Sequence, residues 1–450
     1  RDRSPSRGLG DVYKRQNQRY MKKLVVLVAG LLSVALFAQA EETQNTKENT
    51  FSMKVQIRPR AEYRNGVLFP RPKDAESTGF INNRARLSLG YERDRLSIGL
   101  SAQHVGVWGQ DPQIDKNGRF ILNEAWAKLD FGSGFFAKLG RQSLVYDDER
   151  IMGALDWNVA GRYHDALKLG YENTNNQLHL ILAFNQNDEK TIGGTYYAPG
   201  AQPYKTMQTL WYKHLFDKSF NASFLFMNLG MEGGDAEKQN SDTKYLQTLG
   251  TNLIYTPSNW TIGGTIYYQF GKTKSGRDVS AFLWAVNAAY QIDPQWKIGV
   301  GSDYLSGSDG ADGKYKAFDP LYGTHHKFYG AMDYFYASSF VNGLNPGLWD
   351  NQINVAYKPS SKVNLSLAYH YFSITGDVYE GNDKLSKGLG SELDFQVDWV
   401  IMKDVKLSAG YSTMLGTNTM KAVKGGNPSH WQDWGWLSIN INPTIFATKW

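Results

Sequence analysis

Two short stretches carry the first chemical signal: Arg58-Pro59-Arg60-Ala61-Glu62-Tyr63-Arg64 and Asn83-Arg84-Ala85-Arg86-Leu87. A guanidinium is always charged and offers a planar fork of donors that fits a carboxylate, so this chemistry is either the handling of anions or a lattice of ion pairs. A denser mixture follows in Gly140-Arg141-Gln142, Tyr146-Asp147-Asp148-Glu149-Arg150, Asp156-Trp157, Gly161-Arg162 and Asp165. Carboxylates, guanidinia and an indole in one segment suit a sugar-contacting surface, a cation site or an ion-pair lattice, the last being commonest. A third segment runs from Phe318-Asp319-Pro320-Leu321-Tyr322-Gly323 through His325-His326 and Tyr329-Gly330 to Asp333. Two histidines near Asp319 raise the question of a metal or a general base, but such neighbours on an irregular loop are more often hydrogen-bonded structural groups. No H-E-x-x-H, G-x-S-x-G or P-loop pattern accompanies them, and the expectation is a protein that is not an enzyme and uses no cofactor.

The elements that hold these residues alternate apolar and polar with a period of two. In Glu392 to Ile401, Leu393, Phe395, Val397, Trp399 and Ile401 share one face and Glu392, Asp394, Gln396 and Asp398 the other. Val363 to Tyr371 repeats the design, and a helix would mix the two sets. Applied to the arginines, the same period puts Arg58, Arg60, Arg84 and Arg86 opposite Val55, Ile57, Ala61, Ala85 and Leu87. On a lipid-facing surface each would cost about 2–4 kcal/mol near the midplane, so they must face inward and form a basic ladder between adjacent strands. Glu62, Glu92, Glu124 and Asp130 are the expected partners if the ladder is structural.

Short connections stand at Asp94-Arg95, Gly132-Ser133-Gly134, Thr174-Asn175-Asn176, Asp217-Lys218, Pro257-Ser258-Asn259, Asp293-Pro294, Pro359-Ser360-Ser361 and Lys403-Asp404. Longer polar or Gly-rich stretches fall near 66–78, 108–119, 144–164, 188–204, 232–244, 272–278, 306–348, 375–388 and 417–432. Eight short and nine long connections imply eighteen strands, with short turns on one side and long loops on the other. That asymmetry is the signature of an all-β fold, a transmembrane antiparallel β-barrel of the outer membrane of a Gram-negative-type bacterium. A barrel this wide leaves an aqueous lumen unless loops fold in, and the 306–348 loop is long enough to plug or gate it.

Composition limits the alternatives. A mean hydropathy of −0.47, with no long apolar run after Phe37, excludes a helical membrane bundle, whereas an aromatic share of 14% with 45 glycines suits a barrel. Residues 1–20 read as a non-native leader, and 21–40 as a cleaved signal peptide with Lys22 and Lys23, an apolar run and Ala38-Gln39-Ala40. The barrel domain is then 41–450. Residues 1–40 hold eight of the 49 basic and two of the 43 acidic residues, so the formal +6 vanishes from the remainder and no nucleic-acid partner is expected. Zero cysteines exclude disulfides and thiol chemistry.

The arginine stretches and the two loop segments together resemble the alginate-export family of outer-membrane porins over essentially the whole chain after residue 40. The resemblance implies an 18-stranded barrel whose arginine-rich constriction passes an anionic uronate polymer. By motif it carries Arg60, Arg86, Arg141, Asp147, Arg150, Arg162 and Asp319 as pore or constriction residues, to which the inward ladder adds Arg58 and Arg84. The partners expected are outer-membrane lipid, a saccharide or anionic solute and periplasmic export partners. An acidic inward series of Glu172, Asp303, Glu392, Asp394 and Asp398 suits general diffusion or neutral sugars as well as a polyanion. A barrel enzyme and a plugged adhesin are the alternatives.

Overall fold

Alternating Val, Ile, Leu and aromatic residues against Ser, Thr, Asn, Gln and charge make strands that need lipid on one face and polar company on the other. The computed structural model describes residues 48–110, 120–189, 191, 195–196, 204–235, 237, 240–309 and 313–450, so the expected leader and signal peptide lie outside the described residues. The strands are β1(Thr50–Asn65), β2(Thr78–Arg93), β3(Leu96–Val107), β4(Phe120–Gly132), β5(Phe135–Gln142) and β6(His164–Glu172). Next come β7(Asn176–Phe184), β8(Thr206–Leu215), β9(Phe220–Glu232), β10(Thr243–Tyr255), β11(Trp260–Lys272) and β12(Asp278–Gln291). The last are β13(Trp296–Leu305), β14(Leu348–Ser360), β15(Val363–Ser373), β16(Gly388–Met402), β17(Val405–Gly416) and β18, which runs as Gln432–Ile441 and resumes as Thr444–Lys449. All seventeen connections fall where the sequence punctuation puts them.

Each strand pairs antiparallel with its sequence neighbours, and β1 closes the cylinder by pairing with β2 on one side and β18 on the other, for instance Tyr63 opposite Gly435 and Thr50 opposite Lys449. Closure removes every free sheet edge, which lipid could not satisfy. Pro443 has no N–H to give, and the ladder slips beside it between Met53 and Lys54 while the Val55 amide still donates to its carbonyl at 3.1 Å. On the outer face Trp260 meets Tyr290 and Trp296 meets Tyr357, ring centroids 4.8 and 4.3 Å apart, beside the short turns. Amphipathic rings at that height mark the membrane boundary.

Inward-facing rings lie across glycines of the neighbouring strand. Trp126 covers Gly99 and Phe136 covers Gly170, each directly opposite in register, and a Cβ at Gly170 would sit 2.2 Å from the Phe136 ring. Only hydrogen leaves room for the ring there. Gly170→Leu is therefore expected to destabilise the barrel by about 1–3 kcal/mol as the ring is driven off its rotamer, lowering the urea midpoint in micelles. An unaltered midpoint would mean that the ring is not wedged.

The apolar core sits inside the cylinder. Leu144, Ile151 and Met152 of the 143–163 loop and Phe318, Tyr329, Met332 and Phe335 of the 306–347 loop are buried against inward Met207, Leu225, Met227, Leu283, Leu305 and Phe372. A short helix, α1(Asn418–Lys424), docks on this plug, with Lys424 Nζ donating to the Ser339 carbonyl at 2.6 Å.

Candidate functional site

Two long loops fold into the lumen because each carries apolar side chains that water at the rim would not accept. They zip together through main chain: Gly153 donates to the Tyr322 carbonyl, Tyr322 to Ile151 and Thr324 to Glu149, at 2.9 to 3.0 Å. The Thr324 hydroxyl donates to Glu149 at 2.7 Å, and the His326 ring stacks on Trp157 with centroids 4.2 Å apart. Burial disfavours the Glu149 carboxylate, but Thr324 and Lys327 outweigh it and hold its pKa below the usual value.

The basic ladder forms as the alternation requires, with Arg58 directly opposite Arg84 and both facing inward. Its partners come from the 143–163 loop. Arg84, with no exposed side-chain surface, donates to Asp156 at 2.6 Å and to the carbonyls of Val159 and Asn158 at 2.6 Å each. Arg58 takes the other Asp156 oxygen at 3.0 Å. Arg60 donates to Glu62 at 2.8 Å and to the Trp157 carbonyl at 2.9 Å, its guanidinium 3.8 Å above that indole. Glu62 also receives Arg64, Asn82 and the Trp434 indole, so it is fully occupied. Arg86 is bound more lightly: its Nε donates to Gln103 at 2.9 Å and neither Nη donates to a described residue. Asp156 thus takes the place expected of Glu92, Glu124 and Asp130 as the counter-ion of the Arg58–Arg84 pair. Nothing periodic in the loop could have paired it with strands some 70 to 100 residues away.

Across the lumen the acidic wall receives the same plug. Arg150, buried with 3% of its side chain exposed, grips Asp303 through both Nη groups at 2.8 and 2.9 Å and Asp148 at 2.8 Å. Burial works against its charge, yet Asp303 and Asp148 more than reverse this and hold the pKa above normal. Glu392 accepts the Met332 amide at 2.7 Å, and Asp350 is held by His370 at 2.9 Å. Of the carboxylates that suggested a mixed field in the pore, Asp303, Glu392 and Asp394 seat loops, while Glu172 pairs with His179 and Asp398 with Lys406 along the wall.

The remaining candidates are placed as follows. The Asp147 carboxylate accepts the Trp211 indole N–H at 3.1 Å, and burial pushes its pKa up. Arg162 donates to the Gly323 carbonyl at 2.8 Å, and burial lowers its pKa. Asp319 caps the Leu321 amide at 2.9 Å while its own peptide group is clasped by Gln269. Arg141 is a correction. It shares the outward parity of Leu139, which is 62% exposed, and forks onto Asp165 opposite it on β6 at 2.9 Å. The pairing lies on the outer face near the rim, so Arg141 does not line the lumen. His325 and His326 are spent on the Tyr336 carbonyl and Asp333, both at 2.9 Å, and no metal-ligand group occurs among the described residues.

The fold is that of known outer-membrane porins. OccAB4 of Acinetobacter baumannii superimposes with a TM-score of 0.58 at 12% identity, covering 90% of this chain and 100% of that one. OpdQ of Pseudomonas aeruginosa gives 0.56 at 12% identity over 88% and 98%. A BenF-like porin of Pseudomonas fluorescens Pf-5 gives 0.58 at 14% identity over 88% and 99%. No curated protein matches by sequence. The eighteen-strand closure and lipid-facing rings, together with a family match over most of the chain, place the protein in the Gram-negative outer membrane as a channel for solutes. Over residues 52–427 the sequence matches the model of the alginate-export family, and the chain belongs to that family.

Proposed function

We propose that this barrel is a passive channel for a hydrophilic anionic solute of the saccharide class, working without cofactor or catalysis. The observation that carries the reading is Arg86 beside the anchored 143–163 loop: Arg58, Arg60 and Arg84 are capped by Asp156, Glu62 and loop carbonyls, whereas Arg86 keeps both Nη groups for a passing solute. Positive groups in a low-dielectric constriction raise the local concentration of anions and replace part of their hydration. In planar bilayers under a KCl gradient the refolded chain is expected to give a reversal potential of anion-selective sign, and Arg86→Glu to move it toward cations. A cation-selective wild type removes this reading, and negligible conductance favours a plugged adhesin.

Family membership favours a second reading, export of an alginate-like polyuronate with periplasmic partners delivering the chain. Polymer added on the periplasmic side would then block the current, and Arg86→Glu would weaken the block. Block by monomeric sugar acids with none by polymer favours small-solute passage.

A further inference from the structure

A second basic feature lies below the plug, on the side of the short turns. Lys128 on β4 stands directly opposite Lys138 on β5, and Lys138 directly opposite Lys168 on β6. All three face inward, since Leu129 and Leu139 beside them are exposed on the outer face. Like charges directly opposite across a sheet destabilise it, and a purely structural wall gains nothing from three in a row.

No described carboxylate lies within ion-pair distance of them. The nearest are engaged elsewhere: Glu124 accepts the Ser143 amide at 3.1 Å, and Glu172 is held by His179 at 2.7 Å. Aromatic faces cradle the ammonium groups instead. Lys138 Nζ lies 3.6 Å from the Trp126 ring centroid and Lys128 Nζ 4.1 Å from that of Phe136. A ring positions a cation without cancelling its charge, so the row remains able to bind an anion.

The row leads to a polar cavity of about 360 Å³ roofed by Ser143 to Asp147. Its lining includes Lys168, Lys213, Gln177, Asn252 and the Trp211 ring. Ammonium groups, amides and an aromatic edge in a space of small-ligand size form a combination that recognises a carboxylate on a hydroxylated ring.

We propose that Lys128, Lys138, Lys168 and Lys213 form a carboxylate-binding subsite for sugar-acid units on the periplasmic side of the plug. The proposal rests on the anionic-saccharide reading above and adds where the anion is held. The test is current block of the full barrel in planar bilayers by sodium glucuronate added on the side of the short turns, with glucose as control. Lys138→Gln with Lys168→Gln is expected to raise the half-blocking concentration about tenfold, and Lys138→Arg with Lys168→Arg to keep it near wild type. Lys213→Gln, at the cavity, shifts it the same way to a smaller extent and serves if the double variant does not fold. Wild-type block that is unchanged by removing these charges overturns the subsite and leaves the channel reading standing. A cation-selective wild type that glucuronate does not block overturns both.

Discussion

Arg150→Met is expected to undock the plug from the acidic wall while leaving the barrel closed. Arg150 and Asp303 are 3% and 1% exposed, so water screens neither. Removing the cation strands Asp303 next to Asp350, its partner in register on β14, and an uncompensated buried charge of this kind costs about 3–5 kcal/mol. The eighteen-strand ladder does not depend on Arg150, because its hydrogen bonds close independently of the loops. The cheapest response is therefore for the loops to leave the lumen and let water reach Asp303. In micelles, trypsin is expected to cut the folded variant at Lys327 under conditions that spare the wild type, with heat-modifiable migration of the barrel retained. Adding Asp303→Asn should restore much of the protection, since it removes the stranded charge. Equal protection of wild type and Arg150→Met would mean that the ion pair does not seat the plug.

That separation between wall and plug also explains what the sequence could and could not reveal. The period of two reports only which way a side chain points, and for β1 and β2 it placed Arg58, Arg60, Arg84 and Arg86 on the inner face without knowledge of any partner. Turn chemistry marked the connections, hence the strand count. Arg141 is legible too, because Leu139 two residues before it must face lipid, and this parity outweighs the motif that suggests a pore position. The lysine row was harder to see. Its members are isolated in sequence, and their alignment depends on the tight turn at Gly132-Ser133-Gly134, where the register slips between Asp130 and Gly132. The loops carry no period, and the contacts of Asp156 and Arg150 with distant strands follow from how those loops fold.

Asp156 is where the plug should respond to acid, and the direction follows from its environment. Burial disfavours its carboxylate, but Arg84 and Arg58 outweigh this and depress the pKa below the usual 3.8. A depressed carboxylate contributes stability that is present above the unfolded value and lost as the pH falls through the folded one. The anchorage is thus intact at pH 5, begins to weaken below about 3.8 and is lost only as the pH falls through the depressed folded value. Asp156 itself is open to lumen water, which screens its own share. Arg84 is fully buried but keeps the Val159 and Asn158 carbonyls and loses only a water-exposed partner, so the change is worth about 1 kcal/mol, enough to multiply the undocked fraction of the loop about fivefold. Single-channel traces should accordingly turn noisier and more conductive as the pH falls from 5 through the depressed Asp156 value. Asp156→Asn keeps the carbonyl contacts of the loop and is expected to show the acid behaviour already at pH 7, with little further change on acidification. Quiet, wild-type traces from that variant at pH 7 would show that Arg84 holds the loop through main-chain carbonyls alone, and the latch would then be insensitive to acid at this residue.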